Sequence, residues 1–597
     1  MIKNPKIKMF FRQMLGYFYI ISVFLFFILI FLALFLIFKT YELSNRSIIK
    51  LLIFSGAGLF VIFRSFFKSL FDFYFKRKEE PYGFILDRAE YKDLYDLIDE
   101  ISLKIKAPKI HVIKLDFSMN SQVIELPNFL FFGYKRFLII GVPLLLITSL
   151  EEFKSIIAHE CYHLSKSDSK VAMKILRMKT IFNHLIEDIG KTRGGSVLFL
   201  GLFFDFVVKM NDFFYNFSKE NELKADKVSL KVSDKNSCSN ALIKTSYYGM
   251  LLRSFFDSLW ENSKMGSSPI NNMLNEMEKF FKEKANDIEF SRYIEDLLNE
   301  VSLPNTTHPT LKERIENLDS EAVTTIFYYE STLRKLFSED KVGILFDKMN
   351  EFWKNSVSED WKNRFDYFNQ RNSRLVSLNS RLDKLSLEEL IERALLLSEL
   401  SGENEGLFAL KEIEKLYPED KVVKFHIGKI LVRKNDKEGL KYLEDIIKTD
   451  FDFAPYAAYE LFCYYYFYEK DINKSAEYYN IGVSIIETNE EIKKERETFL
   501  FTDKYYPLLF DYEITNEIIS KLKKYKKVEK AYMLMKRSSE ELFPVYILAI
   551  KYKPFWKSTD DKIVKECILP YRHWVIQLNK SKGFEYLFSE FVGGRIL

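Results

Sequence analysis

The sequence predicts a mainly α-helical protein with three parts: two transmembrane helices at the N-terminus, an α+β domain with a small sheet, and a C-terminal all-α region. Three observations predict this fold class. Two long apolar runs open the chain, a stretch rich in Val, Ile and Phe follows, and the second half has few Gly or Pro residues and many charges at helical spacing. At 597 residues the chain is too long for one hydrophobic core, so several domains are expected.

Composition and charge exclude one class of function. The 88 Lys and Arg residues nearly balance the 84 Asp and Glu residues, whereas proteins that bind nucleic acid usually carry a strong basic excess. We therefore expect no nucleic-acid partner. The four cysteines are scattered without a Cys-x-x-Cys pair, which indicates no disulfide framework and favours a reducing compartment for most of the chain.

Residues 1–78 are predicted to form a membrane anchor. The first run, 15–38, is 24 residues long without a charge, enough for a helix to cross a hydrocarbon layer of about 30 Å. The second run, 48–67, has a basic residue near each end, where long side chains reach the headgroups. A cleaved signal peptide is the alternative for the first run, whose apolar length exceeds a signal core of about 7–15 residues. A third run, 196–208, is interrupted by an aspartate and favours a buried or interfacial helix over a third crossing.

The segment "EEFKSIIAHECYHLSKSDSK" contains the first candidates for chemistry. Residues 153–165 have apolar side chains at helical spacing without Pro or Gly, which predicts a helix. His159 and His163 then lie one turn apart on one face, where both imidazoles can reach a single zinc ion. Glu160 lies to one side and can act as a general base without being a ligand. The alternative is a pair of ordinary histidines that are bonded to backbone groups.

A third ligand must come from elsewhere, because a catalytic zinc ion usually has three protein ligands. The candidate is Glu222 in "NELKADKVSL", and Asp226 follows one helical turn later. Glu222 would complete a His2Glu site, and Asp226 could accept a hydrogen bond from a zinc-bound histidine and fix its tautomer. By itself, an acidic pair at this spacing is more often a solvated helix face.

Three motifs in this order, "IIAHECYHLSKSD", "NELKAD" and "THPTLKERIENL", resemble the membrane-anchored gluzincin zinc peptidases of the HtpX-like and CAAX-prenyl-protease type, peptidase family M48. The resemblance covers residues 80–320 and implies a zincin-like α+β metallopeptidase domain with a small sheet. It implies one zinc ion per subunit, bound by His159, His163 and Glu222, with Glu160 as the catalytic base.

Further positions of the resemblance concern the cleft. Asp168 occupies the place of an aspartate that follows the second histidine in the family. His308 matches the family's His-Pro segment, which implies a catalytic role for it; a structural loop histidine is the alternative. Residues 108–149 indicate two or three strands, and the edge of this sheet lines the cleft in the family. Asn120-Ser121-Gln122 stands at the matching place without the family's Ala-Phe, which leaves the identity of the edge strand open.

The rest of the chain is predicted to be helical. Residues 321–386 indicate a helical connector, and 387–490 contain six amphipathic segments in pairs whose starts fall about 33 residues apart. This pattern resembles helical hairpins of the tetratricopeptide type, which usually stack into a protein-binding surface. An ordinary irregular helical domain is the alternative. Residues 491–597 indicate further helices rich in Lys and Tyr.

These observations predict a membrane-anchored zinc metalloendopeptidase that hydrolyses peptide bonds of protein substrates. Its expected partners are protein or peptide substrates, the lipid bilayer, and proteins that bind the helical repeats. The basic residues around the apolar runs favour an integral protein of the bacterial inner membrane, with the peptidase and C-terminal regions facing the cytoplasm. The alternative is a membrane-tethered helical-repeat scaffold or adaptor with a vestigial peptidase domain.

Overall fold

The computed structural model is mostly helical and contains two small β-sheets. It describes residues 79–127, 134–164, 197–284, 287–322, 331–500, 503–508, 510, 512–537, 542–553, 569–580, 582–589, 591 and 594–597. In chain order the helices are α1 (Lys92–Lys104), α2 (Val142–Ile147), α3 (Leu150–Tyr162), α4 (Val197–Ser229), α5 (Lys235–Glu261), α6 (Met273–Lys284), α7 (Asp287–Leu298), α8 (Leu311–Asn317), α9 (Thr332–Leu336), α10 (Glu339–Asn379), α11 (Leu387–Leu400), α12 (Glu403–Leu416), α13 (Lys421–Arg433), α14 (Glu438–Thr449), α15 (Ala454–Phe467), α16 (Ile472–Ile486), α17 (Glu490–Glu497), α18 (Tyr512–Lys523) and α19 (Lys582–Ser589).

Within the described part of the chain, no helix combines the length and the apolar character needed to cross a membrane. This finding corrects the predicted fold class, which placed two transmembrane helices at its start; the predicted segments, 15–38 and 48–67, lie outside the described residues. Helix α4 contains most of the third apolar run, and its sequence shows why it is not apolar enough to cross a membrane. Its apolar beginning continues into a stretch with Lys209, Asp212 and Glu220, and charged side chains lose their hydration in a lipid layer.

The chain divides into two compact units. The first comprises Met1–Tyr248, Asp287–Phe337 and Asn579–Val592, and the second comprises Gly249–Asn286, Ser338–Leu578 and Gly593–Leu597. The domain boundaries predicted from the sequence stay a prediction.

The first unit contains a four-stranded sheet in the order β1-β2-β4-β3. The strands are β1 (Phe84–Ile85), β2 (Val112–Asp116), β3 (Ser121–Pro127) and β4 (Tyr134–Gly141). Strands β2 and β4 are parallel, and β1 and β3 run antiparallel to their neighbours. The strands expected between residues 108 and 149 are therefore present as β2, β3 and β4. Strands β1 and β3 lie at the two edges of the sheet.

The second unit is built largely from consecutive helix pairs. The pairs α11–α12, α13–α14 and α15–α16 begin at residues 387, 421 and 454, and buried apolar clusters lie between them. Helices α13 and α14 approach closely at two glycines: a Cβ atom at Gly439 would lie 2.7 Å from the carbonyl oxygen of Gly428. The six helices predicted between 387 and 490 are thus confirmed, while their likeness to tetratricopeptide repeats stays a prediction.

The sequence predicts an all-α C-terminal region, and this prediction is wrong. The region contains a second four-stranded sheet. Its strands are β5 (Tyr505–Pro507), β6 (Val528–Lys536), β7 (Val545–Tyr552) and β8 (His573–Gln577), in the order β5-β6-β7-β8. Strands β6 and β7 are buried along almost their whole length. A strand buried on both faces shows no alternation of apolar and polar residues, so its short apolar run cannot be told from a buried helix by periodicity.

Candidate active site

Helix α3, which contains the HExxH motif, has a fixed start and a buried face. The Ser149 hydroxyl accepts a hydrogen bond from the backbone N–H of Glu152 at 3.3 Å, and the Glu152 carboxylate accepts one from the Ser149 N–H at 2.8 Å. The same carboxylate, which is 2% exposed, accepts a hydrogen bond from the Lys244 ammonium group of α5 at 2.9 Å. Phe153 and Ile157 are fully buried. These contacts fix the orientation of the opposite face of α3.

That face presents the two histidines of the motif. His159 and His163 lie one turn apart, with their ring centroids separated by 5.0 Å. Their Nε2 atoms are 3.3 Å apart. Two imidazole nitrogens at this distance can point to a common ion, as the helical spacing predicts.

Helix α4 brings a third donor to the same place. The Glu222 carboxylate oxygens lie 3.4 Å from His159 Nε2 and 3.4 Å from His163 Nε2. Ligands held at about 2.0–2.1 Å around a tetrahedral zinc ion stand about 3.4 Å apart, so these separations fit a single zinc ion. His159, His163 and Glu222 each offer one ligand atom, and these atoms lie within 4.8 Å of one another, close enough to hold one metal ion. Among the described residues, this is the group of His, Cys, Asp or Glu side chains that meets this condition.

A chain of hydrogen bonds behind His159 sets its tautomer. Asp226, which is 3% exposed, lies with its Oδ1 atom 2.9 Å from His159 Nδ1. Its carboxylate also accepts two hydrogen bonds from the Arg314 guanidinium group of α8, from Nε at 2.9 Å and from Nη2 at 2.6 Å. An ionised carboxylate only accepts hydrogen bonds, so Nδ1 carries the proton and the lone pair of Nε2 is left for a metal ion.

Two more predicted residues lie beside this group. Glu160 follows His159 on α3 and lines the same cavity as the three candidate ligands. His308 precedes α8, and its Nδ1 atom is 3.2 Å from Glu222 Oε2, while its side chain stays 69% exposed. The start of α8 is fixed by a reciprocal pair of hydrogen bonds between Thr310 and Glu313, which determines the position of the preceding His308 segment.

The protein's own groups make this site favourable for positive charge. Burial lowers the pKa of His159, but hydrogen bonds to Asp226 and Glu222 outweigh it and raise the pKa to about 9. Burial would raise the pKa of Glu222, yet its hydrogen bonds with His159 and His308 keep that pKa well below the usual range. Glu222 and Asp226 therefore favour a cation between them, either a proton on His159 or a metal ion.

The pKa of Glu160 is shifted in the direction opposite to that of Glu222. Burial is the largest influence on its carboxyl group and raises its pKa to about 7, against a smaller lowering by His159. A carboxylate with such a pKa is a stronger base than an exposed glutamate and can still be ionised near neutral pH.

The candidate ligands open into a cavity of about 380 Å³. Its sides come from the edge of the first sheet, from α3, α4 and α5, and from the segment that contains His308 and Arg314. Asn120, Ser121 and Gln122, at the start of the edge strand β3, form part of the lining. The cavity therefore has a strand edge on one side, where an extended peptide could add main-chain hydrogen bonds.

The structure brings together all six site residues predicted from the sequence: His159, Glu160, His163, Glu222, Asp226 and His308. Asp168 lies outside the described residues. Sequence reasoning missed the part that Arg314 plays, although it stands in the "THPTLKER" motif. It also missed the face of α5 in the cavity, which consists of neutral residues without a recognisable motif.

A helix with HExxH, joined by a glutamate from a second helix, is the arrangement of metal-dependent peptidases. Comparison with known families agrees with this class. Residues 93–322 match the family described as Peptidase family M48. The match supports the placement of this segment in that family and a metallopeptidase function, and peptidases of the family depend on zinc. No curated protein matches the chain.

Proposed function

We propose that the chain is a zinc-dependent metalloendopeptidase of the HtpX-like gluzincin type. In this proposal His159, His163 and Glu222 hold the zinc ion, and Glu160 is the general base. The observation that carries the proposal is the cluster of His159, His163 and Glu222 beside a buried glutamate in a cavity: the two Nε2 atoms are 3.3 Å apart, and each lies 3.4 Å from a different oxygen of the Glu222 carboxylate.

Zinc, when bound, supplies Lewis-acid chemistry that polarises a water molecule and the scissile carbonyl group. Glu160 takes a proton from the attacking water and passes a proton to the leaving amine. Hydrolysis of the peptide bond thus consumes one water molecule and yields a carboxylate and an amine. Burial raises the pKa of Glu160, which makes its carboxylate a stronger base than that of an exposed glutamate.

Asp226 and Arg314 keep the His159 ring in place during this chemistry. His308 has its side chain exposed at the cavity and lies next to Glu222, so it can donate a hydrogen bond to substrate oxygen as charge develops in the transition state. Loss of His308 should therefore lower kcat.

The test is the Glu160→Gln variant, with Glu151→Gln as the matched control. Both changes convert a carboxylate of α3 to an amide, but Glu151 is exposed and pairs with Lys154 on the surface. Purified proteins are loaded with zinc, their metal content is measured, and cleavage of casein and of a mixed peptide library is followed with and without a chelator.

We expect Glu160→Gln to keep its zinc and to lose cleavage by at least about 100-fold, the lower range for a general base. The Glu151→Gln protein should cleave like wild type, and the chelator should abolish wild-type activity. Wild-type rates in Glu160→Gln, or no cleavage by zinc-loaded wild type, contradict the proposal.

A further inference from the structure

The C-terminal helix α19 packs against α4, the helix that contains Glu222 and Asp226. The two helices meet although Asn211 of α4 and Ser589 of α19 are 378 residues apart in the sequence. The parts of the chain on either side of 579–592 belong to the second unit, whereas 579–592 itself belongs to the first unit. The chain therefore returns from the second unit to complete the first one.

The contacts at the end of α19 are polar and buried. The Asn211 side-chain amide donates a hydrogen bond to the Ser589 hydroxyl at 3.0 Å, and the Tyr215 hydroxyl donates one to the Ser589 carbonyl oxygen at 3.3 Å. The last carbonyl groups of a helix lack a partner inside the helix, so Tyr215 supplies one of the missing donors. All three residues are buried, and a buried polar group that loses its partner destabilises the folded state. These bonds therefore fix the end of α19 against α4.

The chain beyond α19 contacts the segment that contains His308. The Asn305 side chain, which is 2% exposed, donates a hydrogen bond from Nδ2 to the carbonyl oxygen of Phe591. Asn305 stands three residues before His308. From α4, the Lys219 ammonium group donates to the carbonyl oxygen of Leu303 at 2.6 Å. The His308 segment, residues 302–310, is thus anchored both to α4 and to the chain that follows α19.

The position of His308 depends on these anchors more than on packing of its own ring. The His308 side chain is 69% exposed, yet its Nδ1 atom lies 3.2 Å from Glu222 Oε2. An exposed side chain makes few packing contacts, so the backbone of its segment determines where the ring lies. The bond from Asn305 to Phe591 therefore helps to set the distance between His308 and the candidate metal site.

We infer that Asn305 is a positioning residue for the proposed reaction, and that α19 and Phe591 act through it to hold the His308 segment at the cavity. This inference rests on the proposed function, in which His308 donates a hydrogen bond to substrate oxygen. It adds to the site a part of the chain outside residues 93–322, the segment that matches the peptidase family. A displacement of a catalytic group by about 1 Å can lower a rate by about 100-fold. A bond that touches no substrate can therefore control the rate.

Two small substitutions weaken this anchor from its two sides. Asn305→Ala removes the donor in the His308 segment, and Ser589→Ala removes the hydroxyl that Asn211 binds and so loosens α19. Asn299→Ala is the matched control, because Asn299 is exposed and stands in the same connection between α7 and α8. Each change is also made in the His308→Ala background. Circular dichroism verifies folding, and kcat and KM for a peptide from the library are measured per zinc-loaded molecule.

We expect His308→Ala to lower kcat by about 100-fold, the lower range for one donor to the transition state. Asn305→Ala should lower kcat by about 10–100-fold, and Ser589→Ala should lower it by a smaller factor. KM should stay within about twofold, because the contact that is lost forms in the transition state. Asn299→Ala should match wild type.

The His308→Ala background distinguishes positioning from a merely structural role. Without His308, neither Asn305→Ala nor Ser589→Ala should lower kcat further, because the group that they position is absent. Damage to the fold would instead lower kcat by the same factor in both backgrounds. The inference is overturned if Asn305→Ala keeps the wild-type kcat, or if its loss is the same with and without His308.

Hydrogen exchange followed by mass spectrometry separates this inference from the proposed function, since it needs no turnover. Asn305→Ala and Ser589→Ala should speed the exchange of amides in 302–310 by about tenfold, whereas Asn299→Ala should not. Unchanged exchange in both variants overturns the inference, while cleavage that depends on Glu160 leaves the proposed function standing. If zinc-loaded wild type does not cleave, the proposed function fails, and faster exchange in 302–310 still supports the anchor formed by α19 and Phe591.

Discussion

Replacing Asp226 by Asn is the sharpest test of how the candidate metal site is held together. The Asp226 carboxylate accepts hydrogen bonds from His159 at 2.9 Å and from two nitrogens of Arg314 at 2.9 and 2.6 Å. Oδ1 serves both His159 and Arg314 Nη2, and Oδ2 serves Arg314 Nε. An amide has one oxygen, so if it stays opposite His159, its NH2 group faces the Nε–H of Arg314.

Two effects of different size follow. Loss of an orienting partner of a metal-bound histidine typically weakens metal binding by about 10–100-fold, or about 1.4–2.8 kcal/mol. Loss of one charge from a buried ion pair costs about 3–5 kcal/mol of folding stability. The Arg314 side chain keeps 18% of its surface exposed, so we expect a stability loss near 3 kcal/mol.

The assay measures the zinc affinity by competition with a chromophoric chelator and the stability by urea titration of the metal-free protein. Glu220→Gln is the matched control, because it also converts a carboxylate of α4 to an amide but disrupts only an exposed pair with Lys224. Such surface pairs contribute about 0.3–0.5 kcal/mol. The control should therefore keep the wild-type zinc affinity within about twofold.

Arg314→Met supplies the second arm of the experiment. If Arg314 acts through Asp226, the double variant should lose no more zinc affinity than Asp226→Asn alone. The reasoning is refuted if folded Asp226→Asn protein binds zinc within about threefold of wild type. It is also refuted if the effects of the two single variants on zinc affinity simply add.

Three further changes test other contacts of the structure. Glu222→Ala should weaken zinc binding by more than about 100-fold, since even orienting partners contribute about 10–100-fold; full zinc retention on metal analysis would point to another ligand. Lys244→Met should lower the free energy of unfolding by about 3 kcal/mol in a urea titration, because it leaves the buried Glu152 carboxylate without its cation, and a loss below about 1 kcal/mol contradicts this. Burial lowers the pKa of His426 to about 4, so the unfolded chain binds an extra proton between about pH 6.5 and 4, and stability that is full above pH 6.5 falls as the pH drops. His426→Gln should therefore lose less stability than wild type between pH 7 and pH 5, and equal losses would show that His426 is not the group responsible.

The geometry of the candidate site follows largely from the sequence, because helical spacing converts sequence separation into position. His159 and His163 had to share a face once residues 153–165 were helical, and the same argument applies to Glu222 and Asp226. Helical spacing alone does not predict that α3 and α4 lie next to each other. The HExxH motif predicts it indirectly, because a catalytic zinc ion needs a third protein ligand from another segment.

Long-range partners without a motif escaped sequence reasoning. Arg314 stands 88 residues after Asp226, and an arginine near a helix start has many ordinary uses. The residues of α5 that line the cavity are neutral and belong to no motif, so their position there becomes visible only in the folded chain. Such features are set by tertiary packing, which a pattern along one segment does not encode.

The fold was predicted best where amphipathic periodicity is strong. The six helices between 387 and 490 are present, and their pairs begin at residues 387, 421 and 454, close to the predicted spacing of about 33 residues. The sequence predicts helices where β6 and β7 lie; these strands are buried along almost their whole length and show no alternation of apolar and polar residues. The third apolar run was correctly expected to be helical, since α4 begins at Val197.

The contact between α8 and the histidine helix has a consequence for synthesis of the chain. Arg314 lies 155 residues after His159. A ribosome that adds about 5–20 residues per second needs roughly 8–30 s to make that interval. During this time the HExxH helix exists without the arginine that fixes the Asp226–His159 pair, and without His308. A nascent chain therefore cannot assemble the complete site until its whole peptidase segment has been translated, which delays any cutting activity until the domain can fold around it.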